Sequence, residues 1–367
     1  MKQEYGDVLA LFGVSGVGAK TYTRLIGRFS SPSAVFSASD RDLLAMEGIG
    51  PVILKNIRTF DRSAFVDAQE KLMEASGVTL CTRTSPDYPP LLNAFKSAPP
   101  VLFVRGDVKA LSLPSLAFVG TRKPTDYGVT MTRELVRGTV EADMCVVSGM
   151  AAGIDSAAHR TALDNGGKTV AVLGCGVDII YPESNRKLSE QIMQSGCLVS
   201  HFPMGIFPDR GNFPARNAVI TGLSLGTVVV EAPKKSGALI TAELTLKAGR
   251  PLFTVPGNAT SLTSEGTNNL LARGAIPVQS IKDVLTALGK PIPPTVKYSK
   301  PVSLPKKRTV LPGRAGDILK YLDNGPQHVD VLCSKLKIPV FELLNELTML
   351  EIKGYVKQNP GKIFEIL

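Results

Sequence analysis

Short apolar runs recur through the middle of the chain, and amphipathic segments separate them. The runs predict strands at Val101–Val104, Leu116–Val119, Cys145–Ser148, Thr169–Leu173, Cys197–Ser200, Thr227–Val230, Leu252–Val255 and Ile276–Gln279. Near-continuous hydrophobicity is typical of strands that are buried on both faces of a parallel sheet. Helices are predicted between them, for example at Tyr127–Ala142, Ile154–Asp164, Phe213–Leu223 and Ala238–Ala248. The pattern predicts an α/β fold, with an extended Rossmann-like, doubly wound parallel sheet over residues 81–289.

The first part of the chain has a different pattern, in which short helical segments are separated by glycines. The segments Gly13–Phe29 and Met46–Phe60 each open with an apolar–Gly–apolar–Gly turn and continue as an amphipathic helix. Two such units predict a helix-hairpin-helix (SAM-like) domain over residues 1–80, whose glycines would let a sugar-phosphate backbone approach a helix N-terminus. A small helical bundle that uses these glycines only as tight turns is the alternative.

Two further segments follow the predicted sheet. Residues 290–312 contain six prolines and no acidic residue, which predicts a Pro-rich basic linker. Residues 313–367 predict a winged-helix domain, with helices at Ala315–Asp323, Val329–Lys335 and Val340–Leu350 and a hairpin that turns at Asn359–Gly361. The third helix carries Glu342 and Glu346 and no cation, so it favours protein contact or self-association over reading a DNA groove.

Composition indicates a globular protein and limits the classes of function. The chain has 367 residues, 44% of them hydrophobic, and no apolar run long enough to cross a bilayer, so we expect a cytoplasmic protein without a membrane partner. Its five cysteines and three histidines lack ligand spacing, which predicts free thiols, no metal and no cofactor. Much of the formal charge of +10 lies in residues 290–314, whose seven Lys and Arg would attract any polyanion without regard to sequence.

The strongest chemical signal is a set of strand ends that stop at glycine and polar residues. The first strand of the predicted parallel set ends at Gly120, Thr121 and Arg122, and the next ends at Gly149. A later strand is followed by the turn Lys235, Ser236 and Gly237. Carboxyl ends of parallel strands share one edge of a sheet, where backbone N–H groups and cations bind anions. The sequence therefore predicts a phosphate-binding crevice, although Ser236 could equally be a simple N-cap.

One short segment indicates which phosphate-containing ligand the crevice binds. Arg210, Phe213, Arg216 and Asn217 lie within eight residues, just before a predicted helix. Cations with an aromatic ring between them suit single-stranded nucleic acid, because guanidinium groups hold phosphates while the ring stacks on an unpaired base. The alternative is that Phe213 is a core aromatic at a helix start.

Asp155 and His159 are a candidate acid–base pair. They are four residues apart and share a helical face, but no nucleophile accompanies them in the sequence. A structural hydrogen bond is the simpler interpretation, so no catalytic residue is predicted.

Several motifs together resemble the DNA-processing protein A family (DprA, also called Smf). They are VGTRKPTDYG, VVSGMAAGIDSAAHRTALDNGGKTVAVLGCGVDIIYP, FPARN, VVVEAPKKSGALITAELTLKAGRPLFTVPG and EGTNNLLARGA, in unbroken order. The resemblance implies a non-enzymatic homodimer that binds and protects incoming single-stranded DNA during natural transformation and loads the RecA recombinase. It also implies that Arg122 binds a phosphate, that Arg210 is a second basic DNA contact and that Phe213 contacts a base. Gly149 and the 235–237 turn would line the same pocket.

Three positions depart from the family pattern. Ala218 stands where an arginine is usual, His201 replaces an acid, and Ala152 occupies a place often held by a longer residue. Loss of one phosphate-binding cation would weaken DNA affinity and reduce its dependence on salt. The departures therefore affect the expected strength of DNA binding and leave the predicted fold unchanged.

Two alternative functions stay open on sequence. The first is a nucleotide-binding or nucleotide-processing enzyme on the related lysine-decarboxylase-like fold, although its PGGxGTxxE loop is represented only by Pro256–Gly257 and, separately, Glu265–Thr267. The second is an assembly platform in which the outer domains dock partners.

Overall fold

The computed structural model describes residues 3–95, 98–293, 313–322 and 325–366. The chain divides into two compact units, Met1–Leu304 and Pro305–Leu367. Most of the predicted basic linker, residues 294–312, lies outside the described residues, and the predicted limits of the four segments stay predictions. All five cysteines are free thiols, as expected. None of the described helices combines the length and the hydropathy that crossing a membrane requires.

Six helices open the first unit: α1 (Gln3–Gly13), α2 (Ala19–Phe29), α3 (Pro32–Ser37), α4 (Asp40–Leu44), α5 (Pro51–Thr59) and α6 (Arg62–Ser76). The two glycine turns lead into α2 and α5, and Gly16 and Gly48 adopt φ of 92° and 87°, a left-handed region that favours glycine. Leu11, Leu25 and Val35 are fully buried in the shared core of these helices. The predicted helical units are therefore present, and DNA contact by their glycines stays a prediction.

A nine-stranded sheet forms the centre of the first unit. Its strands are β1 (Val78–Thr82), β2 (Val101–Gly106), β3 (Ser115–Val119), β4 (Cys145–Ser148), β5 (Thr169–Val172), β6 (Cys197–Ser200), β7 (Thr227–Val229), β8 (Leu252–Thr254) and β9 (Ile276–Pro277). The spatial order is β1-β2-β6-β5-β4-β3-β7-β8-β9. All pairs from β6 to β9 are parallel, which confirms the predicted fold class, whereas β2 runs antiparallel to both β1 and β6.

The sheet order creates a switch point beside β3. From β3 the chain proceeds through β4, β5 and β6 in one direction and later through β7, β8 and β9 in the other. Open α/β sheets bind ligands outside the carboxyl ends of strands at such a point. The ends of β3, β4 and β7, which the sequence singled out, therefore meet at the position where the fold itself favours a ligand.

Helices cover both faces of the sheet. They are α7 (Pro90–Asn93), α8 (Asp126–Glu141), α9 (Ile154–Asp164), α10 (Arg186–Ser195), α11 (Asn212–Leu223), α12 (Gly237–Lys247), α13 (Glu265–Ala272) and α14 (Ile281–Ala287). Alternate residues of β3 face opposite layers of helices. Ala117 packs with α11 and α12, whereas Phe118 packs with α8, α9 and α14. The alternation explains why the strands are apolar on both faces.

The second unit is a small winged-helix fold. It contains α15 (Arg314–Leu322), β10 (Gln327–His328), α16 (Val329–Leu336), α17 (Val340–Ile352), β11 (Val356–Asn359) and β12 (Ile363–Ile366), with sheet order β10-β12-β11. Ile318, Leu343 and Leu347 are fully buried in its core. The three predicted helices and the hairpin are confirmed, and β10, which is only two residues long, is an addition that the sequence pattern did not reveal.

Candidate nucleic-acid interface

A small pocket of about 80 Å³ opens at the carboxyl ends of the central strands. We call it the strand-end pocket, and its lining includes Arg122, Gly149, Tyr181, Pro208, Phe213 and Arg216. Four of these residues were predicted from sequence as DNA contacts. The loops after β3, β4 and β5 and the first turns of α11 therefore bring distant parts of the chain together.

The loop after β3 holds Arg122 at the mouth of the pocket. The Thr121 N–H donates to the Glu231 carbonyl at 2.8 Å, and the Thr121 carbonyl accepts from the Ile154 N–H at 3.2 Å. Gly153, at φ 85°, lets the loop approach closely, since a Cβ there would lie 2.3 Å from the Thr121 oxygen. Gly120 has a similar role, because a Cβ there would collide with Ile154. The backbone is thus fixed while the Arg122 side chain stays exposed.

The ring of Phe213 lies close to two guanidinium groups. Its centroid is 5.8 Å from the Arg122 Cζ and 5.4 Å from the Arg216 Cζ, within cation–π range. The ring is half-buried and covers Gly174, where a Cβ would come within 3.0 Å of it. Phe213 is therefore neither a fully buried core residue nor a free surface aromatic, and a base-sized ring could stack beside it.

Arg216 occupies the floor of the pocket and is almost fully buried. Its Nη1 donates to the carbonyls of Gly149 and Val172, the second at 2.8 Å, and its Nε donates to Asn217 Oδ1 at 3.0 Å. Gly149 leaves room for this guanidinium, because a Cβ there would lie 2.5 Å from Arg216 Nη1 and the arginine would have to shift. These bonds engage Arg216 with the ends of β4 and β5, which leaves Arg122 as the exposed cation among the predicted residues that line the pocket.

Asp155 and His159 are engaged within the fold. One Asp155 oxygen accepts from the Gly149 N–H at 3.1 Å and the Ala151 N–H at 3.4 Å, and burial raises its pKa to about 6 while Arg216 opposes the shift. The His159 Nδ1 lies 2.7 Å from the Thr169 hydroxyl, and burial lowers the pKa of His159 to about 3. Asp155 and His159 therefore bond to separate partners and not to each other, and their contacts are structural.

The remaining predicted residues lie around the pocket. Asn217 is buried, and its Nδ2 donates to the Gly237 carbonyl at 3.5 Å, which ties the 235–237 turn to α11. The Ser236 hydroxyl accepts from the Ala238 N–H, as an N-cap does. Lys235 and Arg210 are exposed and have no ion pair within the described part of the chain. The structure thus presents two further free cations outside the pocket lining.

Sequence reasoning missed Tyr181 and Glu231. Tyr181 is 45% exposed, lines the pocket, and its ring centroid is 6.3 Å from that of Phe213. Glu231 is buried beside the loop after β3, where its carboxylate accepts from the Thr125 N–H at 2.9 Å and from the Thr125 hydroxyl. The Tyr–Pro pair after β5 was the available signal for Tyr181. Glu231 had none, since only the fold brings it to Thr125.

Family models match both units. Residues 79–289 match the model described as DNA recombination-mediator protein A, and residues 305–362 match the DprA winged helix domain. A protein Smf from Synechocystis is 33% identical over 97% of this chain and 97% of its own length. The DNA processing protein DprA of Streptococcus pneumoniae is 40% identical over 54% of this chain and 70% of its own length. The chain belongs to the DNA recombination-mediator protein A family, also called DprA or Smf.

Solved structures agree with this assignment. The S. pneumoniae DprA structure is 30% identical and has a TM-score of 0.68, covering 78% of this chain and 98% of that one. DNA processing protein A from Helicobacter pylori, whose structure was described for its single-stranded DNA binding mode, is 32% identical with a TM-score of 0.52. That match covers 57% of this chain and 95% of the H. pylori chain.

Proposed function

We propose that this protein binds single-stranded DNA at the strand-end pocket, protects it and passes it to the RecA recombinase during natural transformation. One observation carries the proposal: an exposed arginine, Arg122, and a half-buried aromatic ring, Phe213, face each other at the switch point of the sheet. The guanidinium provides a phosphate contact and the ring provides a stacking surface, which together are the two elements of single-strand recognition.

The shape of the pocket favours a single strand over a duplex. The Phe213 ring lies inside a pocket of about 80 Å³, so a base must leave its pair to reach it. Unpairing costs a few kcal/mol for a duplex and nothing for a strand that is already single. Arg210 and Lys235 add exposed cations that would hold neighbouring phosphates. The relative from H. pylori is itself described by its single-stranded DNA binding mode.

Homodimer formation, the RecA contact and a cytoplasmic location are parts of the same proposal. They rest on family membership, and no residue of this chain is assigned to either surface. Light scattering of the purified full-length protein tests the dimer. The RecA contact is tested by the rate at which recombinase filaments nucleate on single strands covered by a single-strand-binding protein. We expect the rate to rise with this protein present and to rise less with the Arg122→Ala variant, which should bind the strand more weakly.

The proposal includes no catalytic step. Asp155 and His159 are engaged in buried hydrogen bonds, and burial raises the pKa of the Cys175 thiol to about 11. Within the described residues, no group of three or more His, Cys, Asp or Glu side chains is placed to hold a metal ion. These contacts give no support to the nucleotide-processing alternative.

The deciding experiment is displacement of a labelled oligo-dT from the full-length protein, followed by fluorescence anisotropy. Unlabelled oligo-dT should displace the label at far lower concentration than either the matching duplex or thymidine monophosphate. Equal displacement by the duplex would contradict single-strand recognition. Strong displacement by the mononucleotide, together with its hydrolysis to thymine and deoxyribose phosphate, would support the enzymatic alternative instead.

A further inference from the structure

A second cavity adjoins the strand-end pocket. It is a groove of about 410 Å³ between α8 and α9, lined in part by Pro124, Arg133, Gly153, Arg160 and Asp164. We call it the helix groove. Ala152, which is exposed, lines both the helix groove and the strand-end pocket, so the two cavities meet at this residue. A chain that leaves the pocket past Ala152 therefore enters the groove.

Arg133 and Arg160 give the helix groove an unbalanced positive charge. Both are exposed, and within the described part of the chain neither has an ion pair or a side-chain hydrogen bond. Arg137, one turn further along α8, is different because it pairs with Glu134 at 2.5 Å and Glu141 at 3.8 Å. Asp164 is the acidic residue of the lining, so two free guanidinium groups face one carboxylate.

The lining between the two arginines is small, rigid and free of aromatic residues. Gly153 and Ala157 contribute little volume to the wall of the groove. Asn185 fixes the turn that separates the cavities, since its Nδ2 donates to the Met150 carbonyl at 2.8 Å and to the Ser156 hydroxyl at 2.9 Å. A groove with cations and no stacking surface suits a sugar-phosphate backbone and does not suit bases.

We propose that the helix groove binds the phosphodiester backbone of the same single strand where it leaves the strand-end pocket, with Arg133 and Arg160 on phosphates. The inference rests on the proposed single-strand binding of the pocket and extends it to a second, sequence-independent contact. Bases would then be held at Phe213, while the following stretch is held only through its backbone. A longer strand should thus bind more tightly than one that fills the pocket alone.

The test is a length series of labelled oligo-dT, from about 4 to about 16 nucleotides, the range of site sizes in single-strand-binding folds. Anisotropy is measured across a salt series for the wild type, the double variant Arg133→Ala/Arg160→Ala, and Arg137→Ala. Arg137→Ala is the matched control, because Arg137 lies on the same helix as Arg133 but already forms ion pairs. Both variants should unfold at the wild-type temperature, since the side chains are exposed.

We expect the wild type to gain affinity with length and the double variant to lose that gain while keeping its affinity for the shortest oligonucleotide. Its salt slope for the longer ones should fall by about 1.4, or roughly 0.7 for each phosphate released. Wild-type behaviour of the double variant, no gain with length in the wild type, or equal losses at every length would each overturn the inference. Unchanged binding by Arg122→Ala at every length would instead show that the pocket proposal has failed.

Discussion

The guanidinium of Arg122 lies 5.8 Å from the ring centroid of Phe213, although 91 positions separate the two residues in the sequence. The loop after β3 supplies the cation, and the first turn of α11 supplies the ring. The proposed single-strand site rests on their meeting at the switch point of the sheet, where one strand would place a phosphate on the guanidinium and a base on the ring.

Removal of the Phe213 ring tests the stacking contact. Phe213→Ala should weaken oligo-dT binding by about 1–3 kcal/mol, the usual contribution of one stacked base, which is roughly 5- to 150-fold. Phe213→Tyr keeps the ring and should bind nearly as well as the wild type. Anisotropy titrations at constant salt measure both variants. Equal affinities for the alanine and tyrosine variants would show that the ring does not contact a base.

We expect Arg216 to contribute to the stability of the fold, in contrast to Arg122. Arg216→Ala leaves the carbonyls of Gly149 and Val172 without a buried donor and Asp155 without its nearby cation, so we expect a loss of about 3 kcal/mol in unfolding free energy. Arg122→Ala removes an exposed side chain and should change stability by less than about 0.5 kcal/mol. Urea unfolding measures both. A stable Arg216→Ala variant that fails to bind DNA would mean that Arg216 contacts phosphate directly.

Three buried titratable groups predict how stability depends on pH. Burial lowers the pKa of His159 to about 3 and that of His201 to about 4, so both bind protons more readily when unfolded, and stability falls as pH drops below about 6.5. Burial raises the pKa of Asp155 to about 6, so its native state takes up a proton first and stability is gained as pH falls from 6 toward 4. Because two histidines destabilise the fold on acidification and one carboxyl stabilises it, we expect the net free energy of unfolding to fall as the pH is lowered from 6 toward 4.

Asp155→Asn isolates the opposing contribution. The variant lacks the proton uptake of Asp155 and should therefore lose stability more steeply than the wild type between about pH 6 and pH 4. Urea midpoints measured at several pH values give the slope for each protein. Parallel slopes would contradict the raised pKa of Asp155, whatever the difference in stability at neutral pH.

Gly153 should be essential for DNA binding through its effect on the neighbouring loop. Gly153→Ala places a Cβ within 2.3 Å of the Thr121 oxygen at a φ of 85°, so the loop that carries Arg122 must move. We expect weaker oligo-dT binding together with a lower unfolding temperature. Gly27→Ala is the control, because Gly27 lies near the C-terminal end of α2, outside the glycine turn, and nothing lies within 4 Å of a Cβ there. Wild-type affinity of Gly153→Ala would show that the loop position does not control binding.

We expect the winged-helix unit to contact other protein chains. Its α17 exposes the apolar residues Phe341, Met349 and Ile352, at 67%, 50% and 74%, and no Lys or Arg lies within the helix. Deletion of residues 313–367 should leave oligo-dT affinity nearly unchanged and alter oligomeric state or partner recruitment. Light scattering and anisotropy on the same preparation separate the two effects. A collapse of DNA affinity would show that this unit contacts DNA.

Hydrophobic patterning was sufficient to predict the sheet core, because β3 to β8 are buried on both faces and form apolar runs in the sequence. It missed β1, in which Val78, Thr79 and Leu80 are not fully buried and the run is broken by a threonine. It also could not foresee that β2 runs antiparallel, since strand direction depends on tertiary pairing. Hydrophobic runs thus predicted where most of the strands lie, whereas the direction of each strand depends on its tertiary pairing.

The candidate site was predictable in part for a similar reason. Glycines and cations at strand ends identified Arg122 and Gly149, because parallel strands share their carboxyl edge. Sequence could not distinguish the exposed Arg122 from the buried Arg216, since burial depends on which carbonyls surround each guanidinium. Tyr181 was missed because its signal, a Tyr–Pro pair in a loop, carries no information about which strand ends lie beside it.

The most direct test of the account is the salt dependence of oligo-dT affinity for the wild type, Arg122→Ala and Arg137→Ala. If Arg122 holds a phosphate at the strand-end pocket, Arg122→Ala should bind more weakly and its slope of log affinity against log salt should fall by about 0.7, while the paired Arg137 can be removed without effect. Identical slopes and affinities for all three proteins would contradict the account.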